Sequence, residues 1–377
     1  MLANLLKNKS TLLSIGPVSK NCVDATIEIS DKHNLMLTLI ASRNQIDNLS
    51  FDGGYVNNWH TSSFAKYVRK KCKNKKIYLA RDHGGPWQNN LEVQKKMSLK
   101  DAMLSAKDSL KTDIDAGFNF IHLDPSIDIH QTLDQKNVIK RLFDLIAFCN
   151  DYSKKKNKKI FYEVGTEEQS GSTVDFKQFE QNIKIIFDFC DKNNFDRPVF
   201  IVAQTGTKVM EMKNIGAFDS PLRFQKELPV EIQVPKIIEI CNRNNILLKE
   251  HNADYLSIPS LKWHTKLGIH SVNVAPEFGV VESKAFVEIL LNNNLNKLCE
   301  EFLKLSYNSK KWKKWMLKNS NSTDFEKAII AGHYIFSTAE FIEIKNIALK
   351  KITNLDHILK QKIKECIYKY LYAFNSI

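Results

Sequence analysis

Eight short apolar runs recur along the chain, at residues 11–15, 36–41, 76–81, 119–123, 159–164, 198–203, 246–249 and 271–274. A run of this length and composition is what a parallel strand needs when both of its faces are buried. Longer amphipathic segments separate them, among them residues 99–116 and 176–193. Repeated alternation of strand and helix specifies a parallel sheet with helices outside it, and eight units are the number that closes on itself. The sequence therefore predicts an α/β chain folded as a (β/α)8 TIM barrel. Local signals agree. Ser98 precedes a segment with Asp101 in its first turn, the pattern of a capped helix start. Ala116-Gly117-Phe118 has the glycine expected just past a helix end.

After Pro276 the pattern changes. From about residue 283 to 377 the chain is nearly all helical in period, with good apolar periodicity over 282–303 and 355–374. No long Gly/Pro/Ser linker intervenes. The reading is a barrel over residues 1–282 and a helical extension over 283–377 that packs on it. A minimal barrel takes roughly 250 residues, so the 377-residue chain has room for both. With 43% hydrophobic residues it can bury a large core, which argues against disorder.

Several function classes drop out. No stretch approaches the roughly 20 apolar residues of a membrane span, and the first residues lack the apolar run and small-residue cleavage site of a secretory signal. The expected location is the cytoplasm, with no membrane partner. The seven cysteines are odd in number and show no CxxC pair, as expected of buried thiols and not of a zinc–thiolate site. The net charge of +13 resides largely in short runs such as 69–71, 154–156 and 310–314, which read as solvated faces, so no nucleic-acid partner is expected.

A barrel carries its chemistry at the C-terminal ends of its strands. From the second run onward, every run here ends in polar or ionisable residues. They include Arg43, Asn44 and Gln45 with the following Gly54 and Tyr55; Arg81, Asp82 and His83; Asp124; Glu167; Gln204; Lys249 and His251; and Asn273. Polar groups converging on one face are costly unless they pair or bind something. His83 and His251, each beside an acid, can with a carboxylate hold a divalent metal such as zinc and leave a position open for a substrate oxygen. Asp82 would then act as acid and base beside the metal. His333 follows a glycine that would weaken a helix, and it is retained as a candidate on a loop reaching the barrel mouth. Neither a GxxxxGK[ST] loop, nor GxGxxG, nor GxSxG is present. The pairs Gly53-Gly54 and Gly84-Gly85 instead suit close backbone approach.

Taken in order, Asn44-Gln45, Gly53-Gly54-Tyr55, Asp82-His83-Gly84-Gly85-Pro86, His122-Leu123-Asp124-Pro125-Ser126, Gly165-Thr166-Glu167, Gln204-Thr205-Gly206 and Glu250-His251-Asn252-Ala253-Asp254-Tyr255 resemble the tagatose-1,6-bisphosphate aldolase Z-type subunit family, relatives of the class II fructose-bisphosphate aldolases. The resemblance spans roughly residues 10–340. It implies a metal-dependent lyase acting on a ketose or ketose phosphate. His83 and His251 would be metal ligands, Asp82 the acid/base at the aldehyde oxygen, and Glu167 a ligand or second acid/base. Asn273 would contact the enediolate part of the substrate. Gln204 stands where class II aldolases proper have a third histidine, and glutamine is the residue of the Z-type subunits. Asn252-Ala253-Asp254 replaces their phosphate-cradling Gly-Gly-Ser run, and strand eight lacks the Asp-Thr run that completes that pocket. Arg43, Arg81 and Lys249 are the side chains expected to supply an anion site instead. Two further readings stay open: a ketose or sugar-acid epimerase with the same metal chemistry, and a non-catalytic subunit that stabilises a partner class II aldolase. The partners expected are a sugar or sugar phosphate and a second copy of the chain or a partner aldolase subunit. A kinase reading, attached to this family by name, has no phosphate-binding loop behind it.

Overall fold

The computed structural model describes residues 10–51, 53–166, 174–203, 205–220 and 228–377. In chain order the barrel unit contains β1 (Leu12–Ile15), α1 (Lys20–His33), β2 (Leu37–Ser42), α2 (Thr61–Lys71), β3 (Ile77–Gly84), α3 (Asn90–Gln94), α4 (Leu99–Ala116), β4 (Phe120–Leu123), α5 (Gln135–Lys155), β5 (Phe161–Gly165), α6 (Phe176–Lys192) and β6 (Phe200–Val202). It continues with a hairpin, β7 (Lys208–Met210) and β8 (Lys213–Ile215), then α7 (Val230–Arg243), β9 (Leu247–Glu250), α8 (Ile258–Leu267) and β10 (Ser271–Val274). The C-terminal part contributes α9 (Pro276–Asn292), α10 (Asn296–Asn308), α11 (Asp324–Ala331), α12 (Ala339–Lys351) and α13 (Leu355–Ala373).

Eight strands close a barrel in the order β1-β10-β9-β6-β5-β4-β3-β2, every neighbour parallel. Each of the eight apolar runs is one of these strands. Helix ends follow local chemistry. Ser98 accepts from the Asp101 backbone N–H at the start of α4, and Gly117 ends that helix at φ 74°, a left-handed geometry that favours glycine. The antiparallel pair β7–β8 carries no apolar run and escapes the sequence reading.

Side chains alternate in and out along each strand, so the interior is built in layers. Ile40, Ala80, Phe120, Phe200 and Leu247 form an apolar cluster within the barrel. Two residues further along, Glu163 of β5 and Lys249 of β9 meet, with Nζ 2.8 Å from both carboxylate oxygens and both side chains about 1% exposed. One step beyond that, at the strand ends, stand Asp82, His122 and His251. The ion pair thus floors the polar layer. Replacing Lys249 with methionine strands a buried carboxylate, and is expected to cost about 3–5 kcal/mol of stability. Substituting Glu163 by leucine in the same chain should recover most of it. Denaturant unfolding of the three proteins checks both statements.

The C-terminal helices do not stand apart. Residue 282, where the sequence divides barrel from extension, lies inside α9. Helices α9 to α12 share an apolar core that includes Phe286, Phe302, Ile330 and Phe341. Helix α13 joins the barrel's own core through Ile363, Ile367, Tyr370 and Leu371, packed against α1 and α8.

Candidate metal and active site

Neighbouring residues of a strand point to opposite faces, so Asp82 and His83 should not both reach the barrel interior. A bulge resolves this. Between Arg81 and Gly84 the register on β4 advances only from Ile121 to Leu123, leaving one extra residue on β3. His83 absorbs it at φ 48°, a conformation that costs a non-glycine residue energy and clusters at functional sites. Both side chains then face the same space.

There they meet His122 of β4 and His251, just past β9. The three imidazoles are mutually equidistant, with ring centroids 5.1, 5.0 and 5.0 Å apart. Asp82 Oδ1 lies 3.7 Å from His83 Nε2, 3.7 Å from His122 Nδ1 and 3.8 Å from His251 Nε2. Asn273 of β10 donates its amide to the same oxygen at 3.3 Å. These four His and Asp side chains offer donor atoms all within 4.8 Å of one another.

Two observations test whether the group suits a divalent cation. His83 Nδ1 lies 2.5 Å from Asp124 Oδ2, the carboxylate–histidine pairing that orients a metal-binding ring and leaves its Nε2 facing the cluster. His251 Nε2 is buried and, among the described residues, has no hydrogen-bond partner, although burial makes such an atom costly. Imidazole nitrogen and carboxylate oxygen are the donors zinc prefers, so the residues fit. His122 Nδ1, the nitrogen that faces Asp82, accepts from the His83 backbone N–H at 3.2 Å, so its lone pair is engaged in this arrangement and His122 lies beside the other two rings without a free donor nitrogen toward them.

Charge is divided unevenly in the cluster. Burial alone would raise the Asp82 carboxyl, but the neighbouring His83 and His251 rings hold it far below the usual carboxylate range. Against burial, Asp82 and Asp124 push His83 up to about 9. Burial keeps His251 well below the ordinary histidine value, against the opposing pull of the Asp82 charge.

A cavity of about 570 Å³ opens over this layer. Asn44, Gln45, Tyr55, Asp82, His83, His251, Asn273 and His333 all line it, joined by Asp254 and by lysines of the C-terminal part. Asn44 is fixed by Gln88 and Asn90, and Gln45 by the Ser42 backbone N–H. Gly54 is needed close by, because a Cβ there would come 2.0 Å from the Gln45 carbonyl oxygen. His333 sits on a 3-10 turn (Gly332–Ile335), its ring 4.0 Å from that of Tyr334, and burial pushes it down to about 3. Glu167 and Gln204 lie outside the described residues.

The expected anion site is not where Arg43, Arg81 and Lys249 are placed. All three are buried and committed. Arg43 pairs with Asp47 and Glu92, Arg81 with Asp113, and Lys249 with Glu163. Strand parity explains Arg81, which must point outward if Asp82 points in. Conversely, His122 was not among the expected ligands. Its position two residues after Phe120, an inward residue, is the signal that identifies it.

Asp254 is a second addition. It accepts from the Ala275 and Glu277 backbone N–H groups at 3.0 and 2.9 Å. Burial and the nearby Glu277 charge push it up to about 7 despite those hydrogen bonds. Its folded value thus exceeds its unfolded one, so the fold loses stability from this group as pH rises from the unfolded value towards 7. Asp254→Asn is expected to raise the melting temperature at pH 8 and to change little at pH 4, as calorimetry at the two pH values would read.

Residues 3–178 match the family described as D-tagatose-1,6-bisphosphate aldolase subunit GatZ/KbaZ-like. A search of curated proteins finds no match. Among solved structures, this chain is similar to a protein from Sinorhizobium meliloti 1021 described as a probable tagatose 6 phosphate kinase, with TM-score 0.73 and 15% identity over 96% of this chain and 100% of that one. It is also similar to the fructose-bisphosphate aldolase of Campylobacter jejuni, with TM-score 0.56 and 11% identity over 100% and 93%. At these identities the structures speak for the barrel fold. Among the described residues no helix is long and apolar enough to cross a membrane.

Proposed function

We propose that this chain is a metal-dependent carbohydrate enzyme that breaks or forms a carbon–carbon bond of a ketose or ketose phosphate by aldol chemistry. The observation that carries the reading is the placement of Asp82 Oδ1 at 3.7–3.8 Å from one nitrogen of each of three mutually equidistant imidazoles. The GatZ/KbaZ-like match of residues 3–178 supports the same chemistry.

His83 and His251 would hold the cation, with zinc the best fit to imidazole and carboxylate donors; His122 would join them only on releasing the His83 backbone N–H, and Gln204 and Glu167 remain candidates from the family resemblance. When bound, the cation supplies Lewis acidity to a ketose carbonyl. The rest is the work of side chains. Asp82, open to the cavity and held ionised, takes the proton of the substrate hydroxyl that becomes the aldehyde oxygen during cleavage, and returns it during condensation. Asn273 orients that carboxylate through its amide. Asp124 holds the His83 ring in place. Glu167 is proposed as the group that exchanges the proton at carbon. Tyr55, Gln45 and Asn44 line the approach and offer hydroxyl and amide groups to sugar hydroxyls.

The word subunit in the family description favours an assembly with a second copy or a partner chain. Buried, unpaired thiols suit a cytoplasmic location. The reading is tested by metal analysis of zinc-equilibrated protein beside a screen of ketose bisphosphates for triose phosphate release. One zinc per chain and cleavage that stops on chelation are expected. Full turnover in chelated, metal-free protein would contradict it.

A further inference from the structure

Arg43, Arg81 and Lys249, the buried cations at the barrel's strand ends among the described residues, are all neutralised, and the Ala275 and Glu277 backbone amides past β10 are already taken. Asp254 accepts from Ala275 and Glu277 N–H, so the start of α9 is closed by the chain's own carboxylate. An anionic substrate group must find its charge elsewhere on the cavity wall. Among the described residues that line the cavity, one stretch provides it. Lys310, Lys311, Lys313 and Lys314, within five consecutive positions after α10, line the same cavity as Asp82, His83 and His251. All four are exposed, and among the described residues none has a carboxylate partner.

The segment is also held in position. The Trp315 carbonyl accepts from the Glu211 backbone N–H at 2.6 Å, which ties the stretch to the β7–β8 hairpin. Trp315 Nε1 donates to the Tyr334 hydroxyl at 3.1 Å, and Trp312 Nε1 to the Tyr307 carbonyl at 2.9 Å. Lys314 Nζ lies 4.7 Å from the Trp315 ring centroid and 5.3 Å from that of Tyr334, so this cation rests on an aromatic shelf at the cavity edge. The hairpin is itself bound to the barrel, since Asn214 of β8 donates to the carbonyls of Asn252 and Asp254.

We infer that the 310–314 segment is the anion-binding arm of the barrel site, and that the substrate carries a phosphate monoester which these lysines hold while its carbonyl end lies at the histidine cluster. The inference rests on the proposed metal-assisted reading of that cluster. A phosphate monoester carries about −1.5 to −2 charges at neutral pH, and four unpaired lysines on one wall complement it. The arm comes from the C-terminal helical part, so that part supplies substrate specificity to a barrel whose amides past β10 are taken by Asp254.

Two probe pairs test this on zinc-loaded full-length protein by titration calorimetry. One pair is glycolohydroxamate and phosphoglycolohydroxamate, which chelate metal and differ by the phosphate. The other is fructose and fructose 6-phosphate. The wild-type protein is expected to prefer the phosphorylated member of at least one pair by about tenfold or more, the scale of one charge-assisted contact. Changing Lys310, Lys311, Lys313 and Lys314 together to serine should remove that preference. Lys70→Ser with Lys71→Ser, on remote α2, should keep it. An unchanged preference in the fourfold variant, or no preference in the wild-type protein for either pair, overturns the inference. Failure of glycolohydroxamate to bind would count against the metal reading alone, because that probe carries no phosphate.

Discussion

Asp82→Asn is expected to lower ketose cleavage by about 10²–10⁴-fold, the usual contribution of a positioned acid/base group, while zinc content stays at the wild-type level. Asparagine is nearly the same shape and keeps an oxygen opposite the Asn273 amide, so the barrel end should not rearrange. What it loses is the ability to accept a proton. The side chain is partly open to the cavity, and the three rings around it keep it ionised, which is the state a base must be in before cleavage. Steady-state kinetics beside metal analysis separates two roles. Lost turnover with retained zinc assigns proton transfer to Asp82. Loss of both would make Asp82 a metal ligand first.

His251→Ala is expected to abolish stoichiometric zinc retention and, with it, turnover. The ring reaches the cluster with a buried nitrogen that has no hydrogen-bond partner among the described residues, which is the state of a nitrogen left free to bind a cation. His83→Ala should act in the same direction, and Asp124→Asn more weakly, since Asp124 orients the His83 ring from outside the cluster. Losing an outer partner of a metal-bound histidine typically costs about 10–100-fold in affinity. Zinc affinities from competition with a chromophoric chelator would rank the variants. Equal affinities for wild-type and His251→Ala protein would remove His251 from the site.

Most of the barrel was legible because parallel strands buried on both faces leave uninterrupted apolar runs, and all eight runs proved to be strands. Polar strand ends such as Asp82, His83, His251 and Asn273 converged as a barrel requires. Other features depend on information that apolar patterning does not carry. The bulge at His83 is a backbone event, visible only when β3 is paired with β4. Arg81 and His122 needed strand parity, which sets one outside the barrel and the other within it. Lys249 has the right parity but lies one layer too deep, where Glu163 neutralises it. The lysines at 310–314 looked like a solvated run because their sequence neighbours say nothing about the cavity they face. The closing role of α13, far along the chain from β1, is likewise a tertiary fact.

The most direct measurement does not require knowing the aldehyde partner. Zinc-loaded protein is incubated with dihydroxyacetone phosphate in D2O, and proton NMR follows exchange at the carbon that would form the new bond. The account predicts deuterium incorporation well above the protein-free background, abolished by chelation and in His251→Ala. Protein carrying one zinc per chain that exchanges neither dihydroxyacetone phosphate nor dihydroxyacetone would contradict it.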